Sequence, residues 1–335
     1  MQPASPLGRS GMKLTRIGLG TWAQGGGGLA YSWGPQDDTQ SEAAIRRAIE
    51  AGINWIDTAP AYGRGHAEEI VGRVVASMPA SDRPYVFTKA GRLWNPDDPM
   101  APLWTDVSGA SLRKEVEDSL RRLRTERIDL LQIHWPPTDG TPVEEYWGAV
   151  LRLRDEGKIR AAGLSNHSAE ALEEAEKTGH VDSLQPPFSL IRREAAAAEI
   201  PWCAGHGTGV IVYSPLQAGL LSGAMTAERV AAMPEDDWRR RNPEFTGPPL
   251  LKNLSLAERF RPVAERHGVS LAAVAVAWVL AWPGVTGAIV GARRPDQVDD
   301  WETAAGLELT GPDLDEIADA VRQTGAGAGP VRPGQ

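Results

Sequence analysis

Three ionisable residues stand at the ends of short apolar runs. Asp57 follows Ile-Asn-Trp-Ile, Lys89 follows Val-Phe-Thr, and His134 follows Leu-Leu-Gln-Ile. A carboxylate, an ammonium and an imidazole are groups that carry or stabilise protons in acid–base chemistry. Polar residues recur at the ends of later apolar runs, at Ser165, Asn166, Gln185, Tyr213 and Ser214. A fold that needed only stability would have little use for this recurrence, so the pattern predicts a functional site.

Lys89 is the most informative of these residues. It is one of six lysines among 35 basic residues, and it directly continues an apolar run. A buried ammonium without a partner is costly, and Asp57 is the natural partner. Taken singly, each residue also has an ordinary structural explanation. Lys89 could be a surface lysine, Asp57 a turn cap, His134 a core histidine and Tyr62 a turn aromatic, but their joint placement favours chemistry.

The elements that must position these residues are short strands alternating with amphipathic helical patterns. The predicted strands are Arg16–Leu19, Ile53–Asp57, Tyr85–Lys89, Ile128–His134, Ile159–Ser165, Val181–Gln185, Gly209–Tyr213 and Val285–Val290. Parallel strands need crossover connections, so the alternation predicts a parallel sheet, and eight strands favour closure into a (β/α)8 TIM barrel. The sequence thus predicts one α/β domain over residues 1–325, with its site at the carboxyl ends of the strands.

An open, doubly wound sheet is the alternative architecture. Such sheets usually carry a glycine-rich phosphate-binding turn early in the chain. The run Gly25–Gly28 follows the first predicted strand but lacks the GxGxxG spacing and an immediate helix. We therefore interpret this run as a flexible loop rather than a phosphate cradle.

Helix starts are marked by capping residues. Thr141 and Pro142 precede Val-Glu and predict a capping box with proline at the first helical position. Ser168 is placed to cap the following helix, and Thr310 with Asp313 opens a C-terminal helix.

The regular alternation fails once, between the seventh and eighth predicted strands. About 70 residues lie there, against about 30 for an ordinary β–α unit. This segment contains the run Asp236-Asp237-Trp238-Arg239-Arg240-Arg241 and several prolines, and it leads into a predicted helix over Ser255–His267. Because long loops in compact domains are often lids, we expect it to cover the site. Residues 326–335, rich in glycine, alanine and proline, are expected to form a flexible tail.

Composition excludes several classes of function. The 335-residue chain carries a formal net charge of −9, which argues against electrostatic binding to nucleic acid or anionic membranes. The single cysteine, Cys203, excludes an intramolecular disulfide and fits a reducing compartment. The start lacks the apolar stretch of a secretory signal, and the longest apolar run, Leu271–Trp282, is too short to span a membrane. We expect a cytoplasmic protein and leave its oligomeric state open.

Several motifs together resemble the aldo-keto reductases. They are Asp57-Thr-Ala-Pro-Ala-Tyr62-Gly, Phe87-Thr-Lys89, Gln132-Ile-His134-Trp-Pro, Gly163-Leu-Ser-Asn166, Gln185-Pro-Pro-Phe-Ser, Tyr213-Ser-Pro-Leu-Gln-Ala-Gly-Leu-Leu and Gly291-Ala-Arg-Arg-Pro-Asp-Gln297. They occur in the family's order over about residues 14–322. The resemblance is strongest to bacterial members related to inositol-catabolism and general-stress reductases, and more distant to potassium-channel β-subunits.

The resemblance implies reduction of an aldehyde or ketone, with the hydride from NADPH and the proton from Tyr62. Lys89 would lower the pKa of the Tyr62 phenol, and Asp57 would hold the ammonium in place. His134 would hydrogen-bond the substrate oxygen and orient the carbonyl group. The implied partner is a small-molecule carbonyl substrate.

Cofactor contacts follow from the same resemblance. It assigns NADPH or NADP⁺ to Gly20, Thr21, Ser165, Asn166, Gln185, Tyr213, Ser214, Leu216, Gly219, Gly291, Arg293, Arg294 and Gln297. Among these, Tyr213 would stack on the nicotinamide, and paired arginines at a helix start favour a 2′-phosphate. Two positions depart from the family pattern: Trp301 replaces the usual Asn at the adenine, and Arg293 replaces Ser or Lys.

Two other functions are alternatives to carbonyl reduction. A nucleotide-binding sensor, like the channel β-subunits, could keep the same residues with only incidental turnover. A metal-dependent barrel hydrolase would need grouped His and carboxylate ligands, whereas His134 is the only histidine at a predicted strand end. We therefore expect no metal.

Tryptophan is unusually frequent, with twelve residues against five Tyr and four Phe. Those placed near the predicted site are Trp22, Trp33, Trp94, Trp104 and Trp135, with Trp238 in the long segment. From this placement we expect Trp22, Trp33, Trp94 and Trp135 to wall a pocket suited to an apolar or aromatic carbonyl compound.

Overall fold

Eight parallel strands close on themselves in the computed structural model, which describes residues 3–235 and 237–334. In chain order the strands are β1 (Ala4–Pro6), β2 (Lys13–Thr15), β3 (Ile17–Gly20), β4 (Trp55–Asp57), β5 (Tyr85–Ala90), β6 (Arg92–Leu93), β7 (Trp104–Thr105), β8 (Ile128–Ile133), β9 (Ile159–Ser165), β10 (Ser183–Gln185), β11 (Gly209–Tyr213) and β12 (Val285–Gly291). The barrel order is β3, β4, β5, β8, β9, β10, β11 and β12. The remaining strands form two short antiparallel hairpins, β1–β2 and β6–β7.

Closure depends on the pairing of the last barrel strand with the first. β12 pairs with β3 in parallel, with Val290 opposite Leu19 and Gly291 opposite Gly20. This pairing removes both sheet edges, so the open-sheet alternative is wrong and the predicted (β/α)8 TIM barrel is confirmed.

Helices surround the barrel. In chain order they are α1 (Asp38–Glu50), α2 (His66–Ala76), α3 (Gly109–Leu123), α4 (Val143–Asp155), α5 (Ala169–Thr178), α6 (Glu199–His206), α7 (Ala227–Ala231), α8 (Gly247–Arg259), α9 (Arg261–His267), α10 (Leu271–Leu280), α11 (Pro295–Asp299) and α12 (Gly311–Thr324). Every residue of α10 is buried, because this helix lies between the barrel and its neighbouring helices. Within the described residues, no single helix is long and apolar enough to cross a membrane. The pair Gly247–His267 and Leu271–Leu280, bent by 92°, meets that test only when taken together.

Two of the three predicted helix caps are confirmed. The Ser168 hydroxyl accepts a hydrogen bond from the backbone amide of Ala171 at the start of α5. Thr310 and Asp313 form a reciprocal capping box at the start of α12. The capping box at Thr141 is wrong. Pro142 itself occupies the N-cap position of α4, so Thr141 lies one residue too early and donates its hydroxyl to Asp139 instead.

The N-terminal end of the barrel is closed by apolar side chains. The β1–β2 hairpin lies across this end and buries Leu7, Met12 and Leu14 against the barrel interior. Trp55 fills the interior and donates its indole N–H to the backbone carbonyl of Thr15 at 2.8 Å. With this end filled, the carboxyl ends of the strands form the open end, where a TIM barrel places its site.

The long segment before β12 is partly helical. The predicted helix over Ser255–His267 is instead the end of α8 and all of α9, separated at Phe260, where the backbone leaves helical geometry before Pro262. Preceding α8, two 3₁₀ turns cover Trp238–Arg241 and Pro243–Phe245. Asp236, part of the charged run noted in the sequence, lies outside the described residues.

Residues 326–334 do not form the flexible tail that their composition predicts. Ala326 is buried, and Ala328 pairs in parallel with the chain at Arg192. The buried guanidinium of Arg193 donates to the carbonyls of Leu190, Ala326 and Gly329. Small residues let this segment lie directly against the backbone of residues 191–193, a contact that the composition alone does not reveal. Gln335, the last residue of the expected tail, is outside the described residues.

Removing residues 326–335 should therefore destabilise the protein. Arg193 would lose two carbonyl acceptors, and we expect a loss of about 1–3 kcal/mol in the free energy of unfolding. Thermal unfolding followed by circular dichroism measures it as a lower Tm. Lys177→Ala serves as the control, because it removes only an exposed ion pair with Glu174, outside the deleted segment, and should leave Tm close to that of the unaltered chain. An unchanged Tm after truncation would contradict a docked C-terminus.

Candidate active site

A buried ion pair joins β4 to β5 at the open end of the barrel. Lys89 Nζ lies 2.5 Å from Asp57 Oδ2, and both side chains are at most 3% exposed. The same ammonium donates to the carbonyl of Thr58 at 3.0 Å and to the Tyr62 hydroxyl at 3.2 Å. An ammonium has three protons to donate, and all three have acceptors here. The predicted pairing of Lys89 with Asp57 is therefore present in the structure.

The Tyr62 hydroxyl is left with a proton to donate. Its oxygen accepts from Lys89, and within the described residues the hydroxyl proton has no protein acceptor. The phenol also lines the cavity at the open end of the barrel. The arrangement can thus deliver one proton from Tyr62 to a molecule in that cavity.

Tyr62 is held in a tight turn between β4 and α2. Its amide donates to the carbonyl of Ala59 at 3.1 Å. The next three residues, Gly63, Arg64 and Gly65, have φ values of +63°, +54° and +97°. Arg64 adopts this unfavourable conformation with its guanidinium bound to the carbonyl of Asp98 at 2.7 Å, so a side-chain contact compensates for the backbone strain.

The second oxygen of Asp57 is also satisfied. Gln185 Nε2 donates to Asp57 Oδ1 at 2.9 Å and approaches Gln132 Oε1 at 3.3 Å. Gln132 is a site residue that the sequence reasoning did not assign. A polar residue two positions before His134, directly after the apolar pair Leu130-Leu131, was the available signal.

Burial and charge act in opposite directions on the phenol and the ammonium. Burial raises the pKa of Tyr62, the Lys89 ammonium lowers it, and Asp57 raises it, so the pKa lies above its usual value. The prediction that Lys89 lowers this pKa is correct in direction, but desolvation outweighs the cation. Burial lowers the pKa of Lys89, while Asp57 and Tyr62 raise it by more, so Lys89 is a cation at neutral pH.

His134 lies beside Tyr62, with the two ring centroids 5.8 Å apart in an edge-on arrangement. Burial, Lys89 and Arg92 hold the pKa of His134 well below its usual value, so the imidazole is neutral. Within the described residues its Nδ1 has no hydrogen-bond partner. A neutral imidazole can hydrogen-bond a substrate oxygen without adding a charge to the site.

The residues assigned to the nicotinamide carboxamide contact one another. Tyr213 donates its hydroxyl to Asn166 Oδ1 at 2.8 Å, and the Asn166 amide donates to the carbonyl of His134 at 2.9 Å. Ser165 Oγ donates to the carbonyl of Gln185 at 2.9 Å. Of these residues only Tyr213 lines the cavity, and the others form the layer directly behind it.

A second buried pair supports this layer and was not found from the sequence. Tyr146 on α4 donates its hydroxyl to His167 Nε2 at 2.9 Å, and His167 Nδ1 donates to the carbonyl of Ser165 at 2.8 Å. Burial lowers the pKa of His167 to about 4, so the neutral tautomer is fixed by these two contacts. Nothing in the sequence spacing places Tyr146 against His167, because the contact is between consecutive β–α units.

One cavity of about 750 Å³ joins the Tyr62 end of the site to the start of α11. The predicted site residues that line it are Gly20, Thr21, Trp22, Trp33, Asp57, Tyr62, Tyr213, Ser214, Leu216, Gly219, Gly291, Arg293, Arg294 and Gln297. Trp301 also lines it and is only 2% exposed. The same cavity is thus lined by an acid–base group, Tyr62, and by the two arginines before α11.

The two arginines at the far end differ in their contacts. Arg293 is engaged by the segment 33–36: its guanidinium donates to the carbonyls of Trp33 and Pro35 and to Gln36 Oε1, the last at 2.7 Å. Arg294 is more than half exposed, and among the described residues its guanidinium bonds only the carboxylate of Asp296, at 3.0 Å. Arg294 is therefore the freer cation for an anionic ligand.

Three indoles form what we call the indole cluster: Trp22, Trp33 and Trp238. Trp22 stacks on Trp238 with centroids 5.2 Å apart, and Trp33 meets both rings edge-on. The Arg239 guanidinium lies over the Trp33 ring at 4.8 Å and is paired with Asp237. The segment after β11 thus reaches the segment after β3, as its predicted role of covering the site requires.

Trp94 and Trp135 do not join this cluster. Neither lines the cavity, and Trp135 is 42% exposed. The expected four-indole wall is therefore wrong in two positions, because the loops after β5 and β8 direct these rings outside the cavity. Among the described residues, no group of three or more His, Cys, Asp or Glu side chains could hold a metal ion.

Comparisons with known proteins agree with this geometry. The model of the aldo/keto reductase family matches residues 16–322. The aldo-keto reductase YhdN of Bacillus subtilis (strain 168) is 36% identical over 316 residues, covering 94% of this chain and 92% of that protein. The NADH-specific methylglyoxal reductase of Escherichia coli (strain K12) is 33% identical, covering 95% and 99%. The structure of glycerol dehydrogenase AKR11B4 from Gluconobacter oxydans has a TM-score of 0.85 and 40% identity, covering 97% of this chain and 96% of that one.

Proposed function

Because the chain belongs to the aldo/keto reductase family, we propose that it is an NADPH-dependent reductase of aldehydes or ketones in which Tyr62 is the proton donor. The observation that carries the proposal is the Tyr62 hydroxyl, which lines the cavity and accepts a hydrogen bond from Lys89. When bound, the nicotinamide supplies the hydride.

Tyr62 gives its proton to the carbonyl oxygen as that oxygen gains negative charge. The resulting phenolate is stabilised by the ammonium of Lys89, which Asp57 keeps charged and in place. Neutral His134 orients the carbonyl group by a hydrogen bond and does not compete for the proton. General acid catalysis of this kind typically contributes about 10²- to 10⁴-fold.

The lining of the cavity fits a dinucleotide. Ser214, Leu216 and Gly219 on the segment after β11 would lie under the pyrophosphate, and Tyr213 would stack on the nicotinamide. Arg294 would bind the 2′-phosphate, since a guanidinium is the best partner for that group. One relative is named as NADH-specific, so the preference for NADPH rests on Arg294.

Tyr62→Phe should lose most reductase activity while cofactor binding is retained, because the substitution removes the proton and little else. We expect kcat to fall by at least about 100-fold. NADPH oxidation at 340 nm with 4-nitrobenzaldehyde measures turnover, and quenching of protein fluorescence measures NADPH binding. Turnover equal to that of the unaltered protein would exclude Tyr62 as the acid. No turnover by the unaltered protein with a panel of aldehydes, despite tight NADPH binding, would indicate a nucleotide-binding sensor.

Arg294→Ala should weaken the binding of NADPH far more than the binding of NADH, because only NADPH carries the 2′-phosphate. Loss of a charge-assisted hydrogen bond corresponds to an increase of about 10-fold or more in the KM for NADPH. Arg322→Ala is the matched control: Arg322 is half exposed in a surface ion pair with Asp319, outside the cavity. An equal change for both cofactors in Arg294→Ala would show that the phosphate is bound elsewhere.

The indole cluster supports a narrower substrate proposal, an apolar or aromatic carbonyl compound. Trp22 and Trp33 line the cavity beside Tyr62, and aromatic rings bind one another with large apolar contact areas.

Trp33→Ala should therefore raise the KM for 4-nitrobenzaldehyde by about 10-fold and change that for methylglyoxal much less, because only the larger substrate contacts the ring. Trp104→Ala, at an exposed position outside the cavity, is the control. Steady-state kinetics with both aldehydes provide the comparison. Equal effects on the two substrates would argue against an aromatic-binding wall.

A further inference from the structure

The glycine run after β3 has a role that a flexible loop does not explain. Gly25 ends a 3₁₀ turn over Trp22–Gln24, which we call the Trp22 turn. Its backbone packs directly on the backbone of Tyr62 and Gly63, and a Cβ at Gly25 would lie 2.5 Å from the Gly63 nitrogen and 2.8 Å from the Tyr62 carbonyl carbon. A Cβ cannot be accommodated at these distances unless one of the two turns moves.

The contact is closed from both sides. A Cβ at Gly63 would in turn overlap the carbonyl oxygen of Gly25. Two facing glycines thus let the Trp22 turn approach the Tyr62 turn more closely than any other residue pair would. Gly26, the next residue, has nothing within 4 Å of an added Cβ, and Gly27 packs on Gly34 and Pro35 instead, so in this run the contact with the Tyr62 turn belongs to Gly25.

The Trp22 turn is itself fixed to the barrel at two further points. The amide and the hydroxyl of Thr21 both donate to the carbonyl of Asp57 at 3.1 Å. The side-chain amide of Gln24 is buried and donates to the carbonyl of Ala292, after β12, at 2.8 Å. A turn held at the ends of β4 and β12 is a firm support for whatever packs against it.

We propose that Gly25 is a positioning residue for the reduction: its backbone contact with Tyr62 and Gly63 fixes the Tyr62 hydroxyl at its distance from Lys89 and from the substrate carbonyl. The inference rests on the proposed function, in which Tyr62 donates the proton. Misplacement of a reacting group by about 1 Å can cost roughly 100-fold in rate, so a support of this kind has a measurable effect.

Gly25→Ala tests the contact with little other perturbation. Gly25 has φ −72° and ψ 0°, a conformation open to alanine, so the substitution adds a methyl group without backbone strain. We expect kcat to fall by about 10- to 100-fold. The dissociation constant for NADPH, measured by fluorescence quenching, should change by less than about 3-fold, because the bonds of Thr21 and Gln24 hold the Trp22 turn in place and the Tyr62 turn is the one that moves.

The pH profile of kcat distinguishes displacement of Tyr62 from a general structural defect. The charged or titratable groups around its hydroxyl are Lys89, Asp57, His134 and Tyr213. Moving the hydroxyl away from Lys89 removes the cation that stabilises the phenolate, so the alkaline limb of the profile should shift to higher pH. An unchanged limb together with kcat within about 2-fold of the unaltered protein overturns the proposal.

Gly26→Ala is the matched control for loss of glycine flexibility. It lies in the same run at φ +87°, so alanine is strained there but meets no neighbour. We expect its kcat and pH profile to match those of the unaltered protein. A loss equal to that of Gly25→Ala would show that loop flexibility matters and not the close contact, and would overturn the proposal.

Two further variants complete the test. If Gly25→Ala does not fold, Gln24→Met loosens the same turn by removing the bond to Ala292. This variant should lower kcat and shift the alkaline limb to higher pH, and an unchanged kcat and pH profile overturns the proposal.

Tyr62→Phe distinguishes failure of the proposed function from failure of the positioning role. Full turnover by Tyr62→Phe overturns the proposed function and this proposal with it, whereas an inactive Tyr62→Phe beside a fully active Gly25→Ala overturns only the positioning role.

Discussion

The buried ion pair of Lys89 and Asp57 is the interaction on which the rest of the site depends. Removing two charges from water costs several kcal/mol per ion, and only good geometry with further hydrogen bonds offsets that cost. Here every proton of the ammonium and both oxygens of the carboxylate have partners. One of those partners is the Tyr62 hydroxyl, so the requirement to satisfy the buried cation also fixes the orientation of the phenol.

The barrel makes such an ion pair possible because its apolar packing lies at one end and its polar site at the other. At the N-terminal end, the β1–β2 hairpin and Trp55 fill the interior with apolar groups. At the carboxyl end, successive strands place Asp57, Lys89 and Gln132 at neighbouring positions, and parallel pairing sets their distances. Polar groups concentrated at one end can be satisfied by one another, which an alternating distribution along the barrel would not allow.

The sequence predicts the parts of this molecule that depend on strand order. Eight alternations gave the barrel, and the strand ends identified Asp57 and Lys89, because a parallel barrel brings those ends together whatever the loops do. Contacts between distant loops cannot be predicted from strand order in this way. The engagement of Arg293 by residues 33–36, the packing of Ala326 beneath Arg193, and the outward placement of Trp94 and Trp135 depend on how each loop folds back. The net shift in the pKa of Tyr62 also could not be predicted from the sequence. Burial raises this pKa and the Lys89 charge lowers it, and the larger effect depends on distances and burial that only the structure gives.

The contacts of Arg293 have a consequence for how this enzyme can diverge. One guanidinium faces the cavity near the start of α11 and at the same time holds the backbone of Trp33, a wall of the Tyr62 end. On the proposed function, a substitution at Arg293 selected for a different dinucleotide would therefore also alter which carbonyl compounds fit. Within the part of the chain that the structure describes, the Arg294 guanidinium bonds no group other than the carboxylate of Asp296. On the proposed function, the two adjacent arginines therefore differ in their consequences: substitution of Arg293 would change cofactor choice and substrate choice together, and substitution of Arg294 would change cofactor choice alone.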